Sequence, residues 1–219
     1  MNDAHVQGTA RLATAVGIVA AGSAVCLGTY FAVRGPFGTI NDIGNATIGV
    51  LSAALAWRLR RYVPGRGGDL AVAVAVAASA ITVVGSGLVI SGTTGFLLAG
   101  LVSSVGFAGI GTWLLWTNVR TSQVLGWPRG LRSLGVLTGG VMSLGVVVLP
   151  GIVLRLDDME TAPWWVWLGF LCWLGIYVLY PVWAIGVGLV EGRRSRRTRP
   201  AGEHVGAGDG GEARSWTGG

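Results

Sequence analysis

Six apolar segments, each about as long as a membrane-spanning helix, take up most of this 219-residue chain. A hydrocarbon core of about 30 Å needs roughly 20 helical residues to cross it. A helix also satisfies its own backbone hydrogen bonds, as any lipid-exposed span must. The sequence therefore predicts an all-α membrane protein, a six-transmembrane-helix bundle. The predicted spans are 12–33, 38–57, 70–90, 96–117, 133–154 and 164–190.

Composition leaves little of the chain for a soluble domain. Hydrophobic residues make up 52% and charged residues 12%, against about 25% charged in soluble proteins. We predict a short cytoplasmic segment at 1–10, a transmembrane domain at 11–190 and an Arg/Gly-rich tail at 191–219. The tail is nearly free of apolar residues, which is typical of disorder. The first apolar run exceeds the roughly 7–15 residues of a signal-peptide core, so we expect it to remain as the first helix.

Arginine supplies every positive side chain, and its distribution predicts the topology. Arg34 and Arg155 lie in the first and fifth gaps between the predicted spans. Every other arginine lies in the second or fourth gap or in one of the two terminal segments. Since arginine-rich loops stay in the cytoplasm, both termini are predicted to be cytoplasmic. The absence of lysine, whose codons are AT-rich, favours a GC-rich bacterial genome and hence the inner (plasma) membrane. The other fourteen arginines are at positions 11, 58, 60, 61, 66, 120, 129, 132, 193, 194, 196, 197, 199 and 214.

The net charge of +6 does not indicate nucleic-acid binding, because most arginines flank apolar spans and no nucleic-acid module is recognisable. The expected partners are the lipid bilayer and anionic headgroups at the cytoplasmic face. A basic cluster directly after the last span is predicted to anchor the topology there. It comprises Arg193, Arg194, Arg196, Arg197 and Arg199.

The interior of the predicted bundle lacks the residues that membrane enzymes use. No Asp, Glu, Lys, Arg or His lies near the centre of any span, and both histidines, His5 and His204, lie in the tails. A serine nucleophile would have no base, and no HExxH motif is present to hold zinc. We therefore expect no catalytic residues, no metal and no cofactor. Cys26 and Cys172 form no CxxC motif and are expected to be reduced thiols.

One concentration of polar residues lies at the outer end of the second span: Asn41, Asp42, Asn45 and Ser52. Asp42, Asn45 and Ser52 share one helix face by their spacing. One interpretation is an entry site for a cation or polar solute. The alternative, which we favour from the sequence, is a helix start, with Thr39 as N-cap and Asp42 three residues later. That alternative leaves Asn45 unexplained.

Other patterns concern packing. Small residues recur at four-residue steps in the fourth span, from Gly100 to Thr112, as in close helix contacts. Pro181 predicts a kink in the sixth span. An acidic loop, from Asp157 to Glu160, is expected to be solvated. Tryptophans at span ends predict interfacial belts, with Trp57, Trp113, Trp116 and Trp127 on the inner side.

Two functions follow from these patterns. The first is a non-catalytic membrane component that acts through helix packing with itself or a partner. The alternative is a small-solute permease or channel subunit with its polar site at the outer end of the second span. An intramembrane enzyme ranks third, because no catalytic constellation is present.

Overall fold

The computed structural model describes residues 3–63, 65–120 and 126–198, and all regular secondary structure in these ranges is helical. Three short segments have another helical type. A 3-10 turn follows α2 at Arg60–Tyr62, a second 3-10 turn lies at Leu144–Val148, and a π-helical turn lies at Gly175–Leu179. The α-helices are α1 (Asp3–Val33), α2 (Phe37–Leu59), α3 (Arg66–Ile90), α4 (Phe96–Arg120), α5 (Arg129–Ser143), α6 (Leu149–Val153), α7 (Trp164–Gly169), α8 (Leu171–Leu174) and α9 (Tyr180–Thr198).

Five helical stretches are long and apolar enough to cross a membrane, which supports a multi-pass membrane protein. They are His5–Val33, Arg66–Ile90, Phe96–Arg120, Arg129–Val153 and Trp164–Ser195. Helix α2 has 23 residues, which is enough length, but it is not among these five. Its inner face carries amide and carboxyl side chains, which lower its hydropathy.

The helices form a closed ring in chain order. Each of α1 to α4 packs against the next helix, and α9 returns to contact both α5 and α1. Because consecutive helices are antiparallel, successive connections alternate between two ends of the bundle. The start of α1, the α2–α3 and α4–α5 connections and the end of α9 share one end, which we call the arginine-rich end. There Arg61 Nη2 lies 3.1 Å from His5 Nδ1.

The centre of the ring is filled by large side chains, several of them aromatic. Trp183 stacks on Tyr180 with ring centroids 5.8 Å apart and meets Trp113 edge-on at 6.4 Å. Trp113 and Trp127 are only 2% and 4% exposed, so the prediction that they lie in an interfacial belt was wrong. They lie in the core because both side chains pack toward α9 rather than outward.

Glycines allow the closest helix contacts. A Cβ built on Gly106 of α4 would lie 2.7 Å from the backbone nitrogen of Thr82 in α3. A Cβ on Gly139 of α5 would lie 2.5 Å from the backbone nitrogen of Leu115 in α4. Such contacts need glycine, which has no side chain, because a Cβ at these distances would overlap the neighbouring backbone. Gly106 and Gly139 therefore serve helix contacts within this chain.

The last long helical stretch is irregular just before its proline. The backbone N–H of Tyr180 bonds to the carbonyl of Gly175, five residues back. Pro181 has no N–H and its ring crowds the preceding turn, and a widened π turn is one way to absorb that. Helix α9 then continues to Thr198, so the predicted boundary at 190 falls inside it. Arg199 and the predicted disordered tail beyond it lie outside the described residues.

Candidate functional site

A small polar cavity lies inside the ring, at the end opposite the arginine-rich one. It offers about 20 Å³ to a water-sized sphere, which is room for one water molecule or an ion of similar size. Side chains from α1, α2, α3, α4 and the α8–α9 region enclose it. Its lining consists of Leu27, Asn41, Asp42, Asn45, Val89, Phe96, Gly100, Ser103, Phe107, Trp173 and Tyr177.

Three of the four residues that the sequence singled out meet at this cavity. Asn41, Asp42 and Asn45 are 2%, 6% and 5% exposed, respectively. Asp42 and Asn45 lie on one face of α2 by helical spacing, and Asn41 lies beside them. That face is turned into the bundle, toward α4 and the π-helical turn.

The alternative interpretation of these residues as a helix start was wrong. Helix α2 begins at Phe37, Pro36 stands at the N-cap position, and no side chain caps the helix. Thr39 is exposed within the helix instead. Proline suits a helix start because its fixed φ is pre-set for it and its missing N–H is not needed there. Asp42 therefore lies more than one turn inside the helix and needs another explanation.

The hydrogen bonds around the cavity are incomplete. Tyr177 donates its hydroxyl to Asn45 Oδ1 at 2.9 Å. The Asn41 side chain interacts with the Asp42 carboxyl group, but the buried Asn41 Oδ1 has no partner in the described parts of the chain. Asp42 forms no ion pair with any described basic residue. Two oxygen-bearing side chains thus face the cavity with acceptor capacity to spare.

Ser52, the fourth predicted residue, does not line the cavity. It is fully buried further along α2, and its hydroxyl lies 2.9 Å from the Tyr180 hydroxyl. This bond connects α2 to α9 in the core. Ser52 therefore serves packing, although it shares the polar face of α2.

Sequence reasoning missed the aromatic wall of the site. Phe96, Phe107, Trp173 and Tyr177 all line the cavity. Trp173 and Tyr177 come from the irregular stretch before Pro181, with ring centroids 6.4 Å apart. The unusual aromatic content of the last span was the available signal. Nothing in its spacing indicates that these rings face Asp42.

A second buried carboxylate lies at the arginine-rich end. Glu191 is fully buried and accepts hydrogen bonds from Trp127 Nε1 at 2.9 Å and Arg194 Nη1 at 3.1 Å. Burial and the nearby Glu191 carboxylate raise the pKa of Tyr62 above its ordinary value. The sequence placed Glu191 in the tail, because it directly follows the last apolar run.

The other groups that the sequence singled out make structural contacts, are free thiols or lie outside the described residues. Asp157 of the acidic loop accepts the backbone N–H groups of Gly95 and Leu98 at 2.6 and 3.1 Å, and so caps the start of α4. Both cysteines are free. Of the basic cluster, Arg193 and Arg194 lie on α9, whereas the side chains of Arg196 and Arg197 lie outside the described residues. No group of three or more His, Cys, Asp or Glu side chains able to hold a metal occurs in the described ranges.

Comparisons with protein-family models, with curated proteins and with solved structures found no match to this chain. Function is therefore inferred from the chemistry of the cavity and from the position of the bundle's charges.

Proposed function

We propose that this chain is a six-span inner-membrane protein of a bacterium that binds a small monovalent cation at Asp42, as a permease or channel subunit. The observation that carries the proposal is the buried Asp42 carboxyl group, which faces a polar cavity and forms no ion pair with a described basic residue. The polar site predicted for the second span thus lies at a cavity, and its proposed ligand is a small monovalent cation.

The physical reason is the cost of burying charge. An ionised carboxylate away from water is strongly disfavoured unless a cation or several donors compensate it. Acidic groups inside membrane helices are accordingly rare and mark ion or proton pathways. At Asp42 that compensation would come from a bound cation or a proton. The unpartnered Asn41 Oδ1 supports a cation, because hard cations prefer oxygen ligands.

The size and lining of the cavity narrow the ligand. About 20 Å³ admits a sodium or ammonium ion but no organic solute of metabolite size. Phe96, Phe107, Trp173 and Tyr177 line the cavity, and an aromatic ring attracts a cation that lies over its face. A small anion would meet the Asp42 carboxyl group, and a sugar is too large for the cavity. We therefore name sodium, ammonium and the proton as the class to test.

The bundle's charges support the proposed orientation. Arg58, Arg60, Arg61 and Arg66 lie at or beside the α2–α3 connection, at the same end as the start of α1. Arg34 and Arg155 lie at the other end, as the positive-inside rule expects for an outer face. Helix α2 packs between α1 and α3 in the ring, which supports a sixth crossing. The cavity would then open near the outer face.

The other function, a non-catalytic component that acts by packing, has less support. Its basis was the rows of small residues, and Ser104 of the α4 row is buried and accepts a hydrogen bond from Trp173 within the chain. That the chain is not an enzyme remains our expectation from the sequence.

The test is cation flux into vesicles. The full chain is reconstituted into vesicles of phosphatidylcholine and phosphatidylglycerol, and uptake of sodium, rubidium, methylammonium and protons is followed. We expect uptake of at least one of them above protein-free vesicles. Asp42→Asn, which keeps the side-chain shape, should lower that uptake about 10-fold or more, since a charge-assisted contact contributes about 1.5–3 kcal/mol.

Ser52→Ala is the matched control, because Ser52 lies on the same face of α2 but outside the cavity. It should leave uptake unchanged while lowering stability by about 1 kcal/mol, the usual contribution of a hydrogen bond. Thermal unfolding of each variant in detergent separates misfolding from loss of binding. Unchanged uptake in Asp42→Asn, or no uptake of any of the four cations, would refute the proposal.

A further inference from the structure

An apolar groove runs along the outside of the bundle between α3 and α4, near the arginine-rich end. Its volume is about 210 Å³, and its wall is entirely apolar. The α3 side is formed at spacings i, i+3, i+4 and i+7, so it is one helix face. The lining residues are Gly67, Leu70, Ala71, Val74, Thr112, Trp113 and Trp116.

The groove exists because small residues of α3 face large rings of α4. Gly67 has no side chain, and a Cβ there would lie 3.6 Å from Trp116, in ordinary contact. Trp113 is buried at the back of the groove, whereas Leu70 is 62% exposed at its rim. Both α3 and α4 are among the helices apolar enough to span a membrane. In a bilayer this groove would therefore face lipid.

Unpaired positive charge lies at the end of the groove. Arg66 directly precedes Gly67, and the Arg120 guanidinium lies 4.7 Å from the centre of the Trp116 ring. Both arginines are exposed, and neither forms an ion pair with a described carboxylate. The nearby Asp69 is engaged by Arg60. The apolar groove thus ends at two guanidinium groups that have no described ion pair. This combination matches one kind of molecule, an apolar chain with an anionic head group.

We propose that this groove binds an anionic phospholipid, with one acyl chain along Gly67, Ala71 and Trp116 and its phosphate between Arg66 and Arg120. Guanidinium groups bind phosphate oxygens in charge-assisted pairs, and a basic residue near a membrane surface attracts anionic lipid by about 1 kcal/mol. A zwitterionic lipid would fill the groove equally well but gain less from the arginines. The site is independent of the cavity at Asp42.

Quenching of tryptophan by brominated acyl chains tests the site. The full chain is placed in phosphatidylcholine vesicles in which a fixed share of lipid is brominated phosphatidylglycerol or, separately, brominated phosphatidylcholine. We expect stronger quenching by the anionic lipid, and Trp116→Phe should reduce the excess because Trp116, together with the buried Trp113, lines the groove. Arg66→Gln and Arg120→Gln should each weaken the apparent affinity for the anionic lipid roughly five-fold, the factor that corresponds to about 1 kcal/mol.

Two further variants separate binding of the lipid headgroup from binding of the acyl chain. Gly67→Leu keeps both arginines but fills the groove, and it should abolish the excess quenching. Arg34→Gln with Arg155→Gln removes two exposed arginines from the opposite end and should leave it intact. Equal quenching by both lipids, or an excess that survives Gly67→Leu or the double variant Arg66→Gln with Arg120→Gln, would overturn the proposal. Unfolding temperatures in phosphatidylcholine alone show that each variant is folded.

Discussion

Two carboxyl groups, Asp42 and Glu191, are buried in the described part of the chain, and they differ in their partners. Glu191 accepts two hydrogen bonds, one of them from a guanidinium group. Asp42 has only the amide of Asn41 and a water-sized cavity. Glu191 therefore has a guanidinium partner at Oε1, although its buried Oε2 accepts no described hydrogen bond, whereas Asp42 has no cationic partner among the described residues. We assign structure to the first and cation binding to the second on this difference.

The structural assignment of Glu191 predicts a loss of stability on truncation. Glu191→Ala removes the acceptor of the buried Trp127 N–H, and an unsatisfied buried donor costs about 1–3 kcal/mol. Glu191→Gln should cost less, because its amide oxygen can still accept from Trp127. Thermal unfolding in detergent, followed by tryptophan fluorescence, measures both.

The exposed Glu160 of the acidic loop provides the control, since its side chain makes no described hydrogen bond or ion pair. Glu160→Ala should unfold at the temperature of the unmodified chain. An unfolding temperature for Glu191→Ala equal to that of Glu160→Ala would contradict the assigned role.

At the scale of elements, the helices were predictable but their contacts were not. Hydropathy and length predict α2, α3 and α4 almost where they lie, whereas α1 begins at Asp3, nine residues before the predicted span. The rows of small residues correctly indicate close packing, but they do not say whether the neighbour is another helix or lipid. Gly139 and Gly140 are adjacent in α5, yet one touches the backbone of α4 and the other has open space. Only the arrangement of α4 against α5 distinguishes them.

This pair provides a matched test of the packing. A Cβ at Gly139 would lie 2.5 Å from Leu115 N and 2.7 Å from Gly111 O, so Gly139→Ala should push α5 from α4 and destabilise by roughly 1–3 kcal/mol. Gly140→Ala meets nothing within 4 Å and should be neutral or stabilise by up to about 1 kcal/mol through helix propensity. Chemical or thermal unfolding compares them. Similar effects of the two substitutions would mean that α4 and α5 do not approach as described.

For the whole molecule, the proposed topology makes the two ends of the ring distinguishable from outside a cell. In a background with Cys26→Ala and Cys172→Ala, Glu160→Cys should react with an impermeant maleimide on intact cells. Val63→Cys and Arg129→Cys lie at the arginine-rich end and should react only after permeabilisation, because positive loops resist translocation. Outside labelling of Val63→Cys would place the α2–α3 connection on the outer side and contradict the proposed topology. Labelling of Arg129→Cys but not Glu160→Cys on intact cells would invert the orientation.

The sequence by itself determined the helical class, the apolar, membrane-spanning character of most of the chain and the shared face of Asp42 and Asn45. These properties depend on hydropathy and on the helical period, which are local. The tertiary structure decided that this face looks into a cavity, that Ser52 pairs with Tyr180 instead, and that Glu191 is buried beside Trp127. These outcomes depend on which helices become neighbours, and ring closure by α9 brings together residues more than 120 positions apart, as in the pair of Ser52 and Tyr180.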